Sequence, residues 1–413
     1  MNRGFYIILA AQFFSALADH ALLVAAISLL ALLGAPEWQT PWLKIFFVIS
    51  YVVLAPFVGA FADALPKGKV MLISNGIKIF GCLSMLFGMD PFYAYAIVGF
   101  GAAAYSPAKY GILTEYLPPS KLVIANGWME GLTVCAIITG TVIGGLLINN
   151  RVATSLLTFT DITGIDSGID TPPEMAISII VGFYLVASIF NMYIPKLAID
   201  HKPLKKNPFY VIHDFWHCFK LLWKDKLGQV SLAVTTLFWG AGATLQFIVI
   251  KWADASLGFG LDKASYLQGV VAVGIAVGAA LAARYVSLDR AAKVLPVGIA
   301  MGFAVIAMNL IFSWQVAAPV LILIGALGGF FVVPMNALLQ HRGHLLMGAG
   351  HSIAVQNFNE NISILVMSGL YSLMIGARFS IYTIVIAFGL FLASFMAAIA
   401  LRYRQIQRET PPA

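Results

Sequence analysis

The residues that could do chemistry are few and lie in unlikely places. Asp19 and His20 sit at the middle of an almost unbroken apolar run from Phe5 to Leu33. A carboxylate at the centre of a membrane span costs at least ~2.5–3.5 kcal/mol on insertion scales, so an acid kept there needs a task. It either takes part in moving a solute or, protonated or satisfied by an amide, locks helices together. Its neighbour His20 points about 100° away on a helix and faces an adjoining element. Glu130 and Glu360 each follow an amide by four residues, Asn126 and Gln356, which makes a polar stripe one helical turn long in both cases. Lys109 follows the Pro107 break, with Tyr110 and Glu115 beside it. It either snorkels to the interface or holds an anion as a point charge. Lys78 reads as a snorkelling or paired lysine on a peripheral span.

The elements that must position these groups follow from composition. The chain has 413 residues, of which 60% are hydrophobic and only 10% charged; soluble domains carry about 25% charged residues. Mean hydropathy is +0.89. A span needs ~20 apolar residues, and twelve stretches qualify: 4–33, 42–63, 69–88, 91–113, 122–149, 174–197, 228–252, 263–286, 290–312, 316–340, 348–375 and 379–403. The start mimics a signal peptide with Ala16-Leu17-Ala18 as cleavage site, but the apolar run continues to Leu33 and is far longer than a 7–15-residue signal core. The fold class is therefore an all-α polytopic membrane protein. With both termini inside, 18 of the 25 Lys and Arg fall on the cytoplasmic side, as the positive-inside rule demands. The +7 net charge is thus orientation, with contact to anionic headgroups, and implies no nucleic acid. The external segment 150–173 reads as a loop. Cys82, Cys135 and Cys218 lie far apart and imply neither disulfides nor a metal. His341 and His344 fall in a cytoplasmic loop without metal-site spacing, so no metal or cofactor is expected.

The halves echo each other. "VGAFAD" (58–63) answers "VGAALA" (277–282), Gly101 and Pro107 answer Gly328 and Pro334, and "NGWME" (126–130) answers "QNFNE" (356–360). "FFSALAD" (13–19) aligns with "FWGAGAT" (238–244), which matches Asp19 with Thr244. Residues 1–197 and 228–413 then form two six-helix halves joined by a cytoplasmic linker, 198–227, the plan of major facilitator transporters. "GAFADALPKGK" (59–69) resembles that superfamily's loop pattern at Gly59, Asp63, Lys67, Gly68 and Lys69, with Ala64 where a basic residue is usual. The resemblance implies a gate held by charge pairing between helix ends. Gly-x3-Gly at 140–144 and 274–278 implies close helix packing.

"GFGAAAYSPAKYGILTEYLP" (99–118), "IANGWMEG" (124–131), "LFWGAGATLQF" (237–247), "GGFFVVPMNALLQHRG" (328–343) and "GAGHSIAVQNFNEN" (348–361) together resemble the lysophospholipid transporter family, a branch of the major facilitators. The resemblance covers essentially the whole chain. It implies a Gram-negative inner-membrane transporter that moves lysophosphatidylethanolamine and lysophosphatidylglycerol from the outer to the inner leaflet by alternating access with lateral lipid entry. It also implies an acyltransferase partner that remakes diacyl lipid. No His-x4-Asp acyltransferase motif occurs in this chain, so it is read as a transporter and not an enzyme. Asp19 then pairs with the ammonium or hydroxyl of the headgroup and Lys109 with its phosphate. Tyr110, Thr244 and Gln246 join Asn126, Glu130, Gln356 and Glu360 as substrate-site candidates. Relatives often carry arginine at the position of Gln246; glutamine here removes that counter-ion for Asp19. As a transport residue, Asp19 is expected to tolerate asparagine without loss of stability. The alternative is a proton-coupled carrier for a small polar solute or drug, with Asp19 as the proton site.

Overall fold

The computed structural model describes residues 2–36, 40–149, 152–155, 157–158, 169–195, 197, 207–259 and 261–409. Most of the expected external loop, with Asp161 and Asp166, lies outside them. Among the described residues the chain is helical and has no strand. The principal helices are α1 (Arg3–Leu32), α2 (Thr40–Val53), α3 (Ala55–Ala64), α4 (Lys67–Leu86), α5 (Pro91–Tyr116), α6 (Leu122–Leu147) and α7 (Pro172–Met192). They continue with α8 (Pro208–Lys224), α9 (Lys226–Leu257), α10 (Leu261–Tyr285), α11 (Leu295–Ala307), α12 (Trp314–Met347), α13 (Ala349–Gly376) and α14 (Ile381–Glu409).

Nine of the described helices are long and apolar enough to cross a membrane, and α2 with α3 makes a tenth as one span bent by 63°. Pro56 explains the bend: it lacks an N–H for the carbonyl four residues back, and its ring crowds that carbonyl. Helices α5 and α13 have 26 and 28 residues, ample length, but the Lys109 segment and the amide–glutamate stripe dilute their apolar character. Local signals fix the ends. Asn2 accepts from the Phe5 amide to start α1, Glu174 accepts from the Thr171 amide to start α7, and Gly258 (φ 64°) closes α9 in the left-handed region that glycine tolerates.

The chain packs as two compact units. The first comprises Met1–Ile112, Cys135–Phe215 and Ala349–Ala354; the second comprises Leu113–Val134, Trp216–Gly348 and Val355–Ala413. Each takes a short segment from the other end of the sequence: the start of α6 packs with the second unit, and the start of α13 with the first. The first unit is centred on Ala18, Leu22, Ala25, Leu29, Val98 and Tyr184.

Both Gly-x3-Gly pairs serve the packing expected of them. Gly140 and Gly144 face the Leu17 and Ala21 carbonyls of α1; in the second unit Gly274 and Gly278 face Ile322 and Ala326 of α12, while Gly325 and Gly329 face Val271 and Ile275 of α10. This reciprocal glycine contact lets backbones approach where lipid offers no hydrophobic drive between helices. A Cβ at Gly278 would collide with the Ala326 carbonyl, whereas one at Gly269 on the same helix meets nothing within 4 Å. Gly278→Ala is therefore expected to destabilise by about 1–3 kcal/mol, and Gly269→Ala to stabilise by up to ~1 kcal/mol. Melting in detergent, followed by size-exclusion recovery, should give the two changes opposite signs.

Candidate functional site

Three polar clusters stand inside the apolar helices, and each is assembled within one unit. The first surrounds Asp19. Its Oδ2 lies 2.8 Å from Lys78 Nζ on α4, and its Oδ1 accepts from the Tyr184 hydroxyl of α7 at 2.6 Å. Lys78 Nζ also reaches Ser15 Oγ at 3.1 Å, and Ser15 donates to Asn75 Oδ1 at 2.8 Å. The Tyr105 and Tyr184 rings lie 4.9 and 5.5 Å from the ammonium, close enough for cation–π attraction. The Lys78 side chain is 1% exposed, so it is a buried counter-ion and does not snorkel; the Asp19 side chain keeps 21%. The acid thus retains an open edge while its lysine is enclosed. Of the two readings the sequence allows for Lys78, snorkelling or paired, the structure shows the paired one. The signal was there: a lysine at the middle of an apolar span, as Asp19 is.

The second cluster gathers where α3 meets the start of α13. Asp63 Oδ1 accepts from the Gly350 amide at 2.6 Å, and Oδ2 from the His351 amide at 3.0 Å. These are two of the four N–H groups a helix start leaves unpaired, at the positive end of its dipole. Lys67 Nζ lies 2.9 Å from Asp63 Oδ1 and donates to the Ala62 carbonyl at 2.6 Å. His351 Nδ1 lies 2.6 Å from Asp63 Oδ2, and its Nε2 lies 3.2 Å from Asp214 Oδ2 on α8. Gly59 makes the approach possible, since a Cβ there would stand 2.9 Å from the Ala354 Cβ. Of the expected gate residues, Gly59, Asp63 and Lys67 meet here, while Lys69 is exposed. His351 was not among them; only its proximity to the helix start, invisible in sequence, makes it a partner.

The third cluster lies in the second unit. Asn126 and Gln340 exchange amide hydrogen bonds at 2.9 and 2.8 Å. Asn336 donates to Glu130 Oε1 at 3.4 Å, and Gln356 donates to Asn336 Oδ1 at 3.0 Å and Glu360 Oε1 at 2.7 Å. Glu130 and Glu360 are buried. The two stripes read from "NGWME" and "QNFNE" therefore join through Asn336 of α12, whose Gln340 also holds Asn126; no spacing in the sequence marks either residue. On the neighbouring contact, Gly127 lets α6 approach α10, because a Cβ there would strike Ala283.

The remaining candidates are placed separately. Lys109 Nζ stands 4.2 Å over the neighbouring Tyr110 ring. Thr244 is buried and donates to its own helix at the Gly240 carbonyl. The Gln246 side chain is exposed, and the backbone carbonyl of that residue accepts from Gln268 Nε2. His341 and His344 are not in a loop as expected: α12 continues through Met347, and both sit on its last turns. There Arg342 forms a forked pair with Asp225, the N-cap of α9, with Nε at 3.0 Å. Burial pushes the Asp225 carboxyl up, but the Arg342 guanidinium and the Gly228 amide outweigh it and hold it below the ordinary range. The pair therefore stays charged at neutral pH.

Long apolar helices carrying enclosed charge pairs, with a carboxylate at a helix start, define a polytopic membrane protein. The Major Facilitator Superfamily family model matches residues 8–367, so the chain belongs to that superfamily. It is 44% identical over 377 residues to the "Lysophospholipid transporter LplT" of Yersinia enterocolitica, covering 91% of this chain and 88% of that one. A Yersinia pestis protein of the same name matches at 44%, covering 91% and 87%. The chain is a member of the lysophospholipid transporter family. Among solved structures, a bacterial homologue of the iron transporter ferroportin in an outward-facing state superposes with a TM-score of 0.72 at 14% identity, covering 98% and 100% of the two chains. The E. coli fucose:proton symporter gives a TM-score of 0.71 at 14% identity, covering 97% and 98%. At such identities these two share the fold alone.

Proposed function

We propose that this protein carries lysophosphatidylethanolamine and lysophosphatidylglycerol from the outer to the inner leaflet of a Gram-negative inner membrane, where an acyltransferase restores the second chain. The single observation that carries this reading is 44% identity along nine-tenths of the chain to proteins named lysophospholipid transporters. In this reading the twelve expected spans form two six-helix halves with both termini inside, and the protein acts as a carrier and not an enzyme. The partly exposed Asp19 carboxylate is the group offered to the headgroup ammonium. Lys109 reads the phosphate. The Asp63 cluster and the Glu130–Glu360 cluster hold the cytoplasmic ends of the two halves together until the lipid has entered. One acyl chain supplies ample affinity, since each buried CH₂ is worth ~0.8 kcal/mol. Consumption of the product drives the lipid down its own gradient, so no ion need be coupled.

The test is flipping by purified protein in liposomes of lysophosphatidylethanolamine, glycerophosphoethanolamine and diacyl phosphatidylethanolamine. Only the first is expected to move appreciably. Equal transport of the deacylated headgroup would replace this reading by a small-solute carrier. In the same assay Lys109→Gln should raise the apparent KM about tenfold for every phosphate-bearing substrate, the ~1.4 kcal/mol of one charge-assisted contact. An unchanged KM would remove Lys109 from the site.

A further inference from the structure

Helix α8, between the two expected halves, carries three separate strips. Val211, Phe215, Cys218 and Leu222, spaced four, three and four apart, are buried. Beside them runs an exposed apolar strip of Phe209 (81%), Ile212 (37%) and Trp216 (43%), the last with one side of its ring packed on Phe219 and Phe358 and the rest open. Beyond that, His213, His217, Lys220 and Lys224, again spaced four, three and four, are all exposed. Tyr210, 48% exposed, stands next to the basic strip. The helix has one acid, Asp214, and it is held on the other side by His351. Lys226 follows at the start of α9, and Asp225 is the sole residue between the two helices. The C-terminal end of α8 is thus pinned to the end of a helix long and apolar enough to span a membrane.

We propose that the outer face of α8 docks onto the anionic lipid surface of the adjoining leaflet, with Phe209, Ile212 and Trp216 in the acyl boundary and Lys220 and Lys224 on the headgroups. Strip order carries the proposal. A core face, then an aromatic strip, then a basic strip free of acids is what an interface-lying helix presents to an anionic membrane. Trp and Tyr belong at that depth because each has an apolar body and a polar end. Three exposed apolar side chains are too few for a stable protein interface, which needs about 800 Å² from each partner. The proposal rests on the orientation given above, with the linker cytoplasmic, and not on the identity of the transported lipid.

The experiment uses the full chain with its three cysteines replaced, reconstituted in nanodiscs of phosphatidylethanolamine with either phosphatidylglycerol or phosphatidylcholine. An environment-sensitive label is placed at Ile212→Cys, His217→Cys or, as a mid-span control, Phe80→Cys. An impermeant thiol reagent on sealed vesicles checks the side on which His217→Cys lies. In phosphatidylglycerol discs, brominated lipid should quench the label at 212 at least twofold more than the one at 217, with the reverse for aqueous iodide. Removing phosphatidylglycerol, or introducing K220Q with K224Q, should halve lipid quenching at 212 and leave position 80 unchanged. Equal aqueous quenching at 212 and 217 would overturn the proposal, as would shielding of 212 from both quenchers. Lipid quenching indifferent to phosphatidylglycerol and to the two lysines would overturn it too. If the lysolipid is not transported but these results hold, the transport reading fails and the docking surface stands.

Discussion

Replacing Asp19 by asparagine is expected to destabilise the protein as well as abolish transport. From sequence alone the substitution promised intact folding, because the acid had no visible counter-ion. The structure corrects this: Lys78 is enclosed and pairs with the Asp19 carboxylate at 2.8 Å. Removing one partner of a buried pair costs about 3–5 kcal/mol, mostly because the other charge is left uncompensated. Lys78→Met is expected to cost a similar amount. The double variant Asp19→Asn with Lys78→Met removes both charges and should recover most of the lost stability, as coupled residues do in a double-mutant cycle. Transport separates the roles. If the carboxylate meets the substrate, the double variant melts near the wild type yet flips lysolipid at least 100-fold more slowly. A double variant that is both stable and active would show that the pair only joins α1 to α4.

Asp63→Asn is expected to shift the conformational balance more than any other substitution at the helix ends. The carboxylate accepts from two backbone amides of α13 and meets both Lys67 and His351. Asparagine keeps the shape but loses the charge and offers a single accepting oxygen. The loss of charge-assisted bonds is worth about 2 kcal/mol, or about 30-fold in an equilibrium constant. Ala354 lies against Gly59 and is fully buried. A cysteine there, in a background without the native three, should therefore react with an aqueous maleimide about 30-fold faster when Asp63 is asparagine. Gly59→Val should produce the same acceleration by steric means, since its side chain would press on Ala354. Unchanged labelling in both variants would reject this cluster as a gate.

The sequence by itself determined the class, and much of what ends the helices is local. Apolar runs of about 20 residues can satisfy their backbone in lipid only as helices, so the helical membrane class followed from composition. Caps and breaks at Asn2, Pro56 and Gly258 are local events within a few residues of chain. The glycine pairs were equally legible, because close approach between membrane helices needs small residues at one-turn spacing whatever the partner. The two amide–glutamate stripes were visible for the same reason, since i and i+4 share a face in any helix.

Tertiary structure decided the pairings. Asp19 finds Lys78 across 59 positions and Tyr184 across 165; Asp63 finds Gly350 and His351 across 287 and 288. The Glu130 stripe meets the Glu360 stripe through Asn336 on a third helix. A helical period states which face a side chain occupies and is silent on which helix that face meets. A charge buried in lipid must find an opposite charge or a donor to persist. Sequence could therefore announce that Asp19 had a partner, and only the packing of α1, α4 and α7 could choose Lys78.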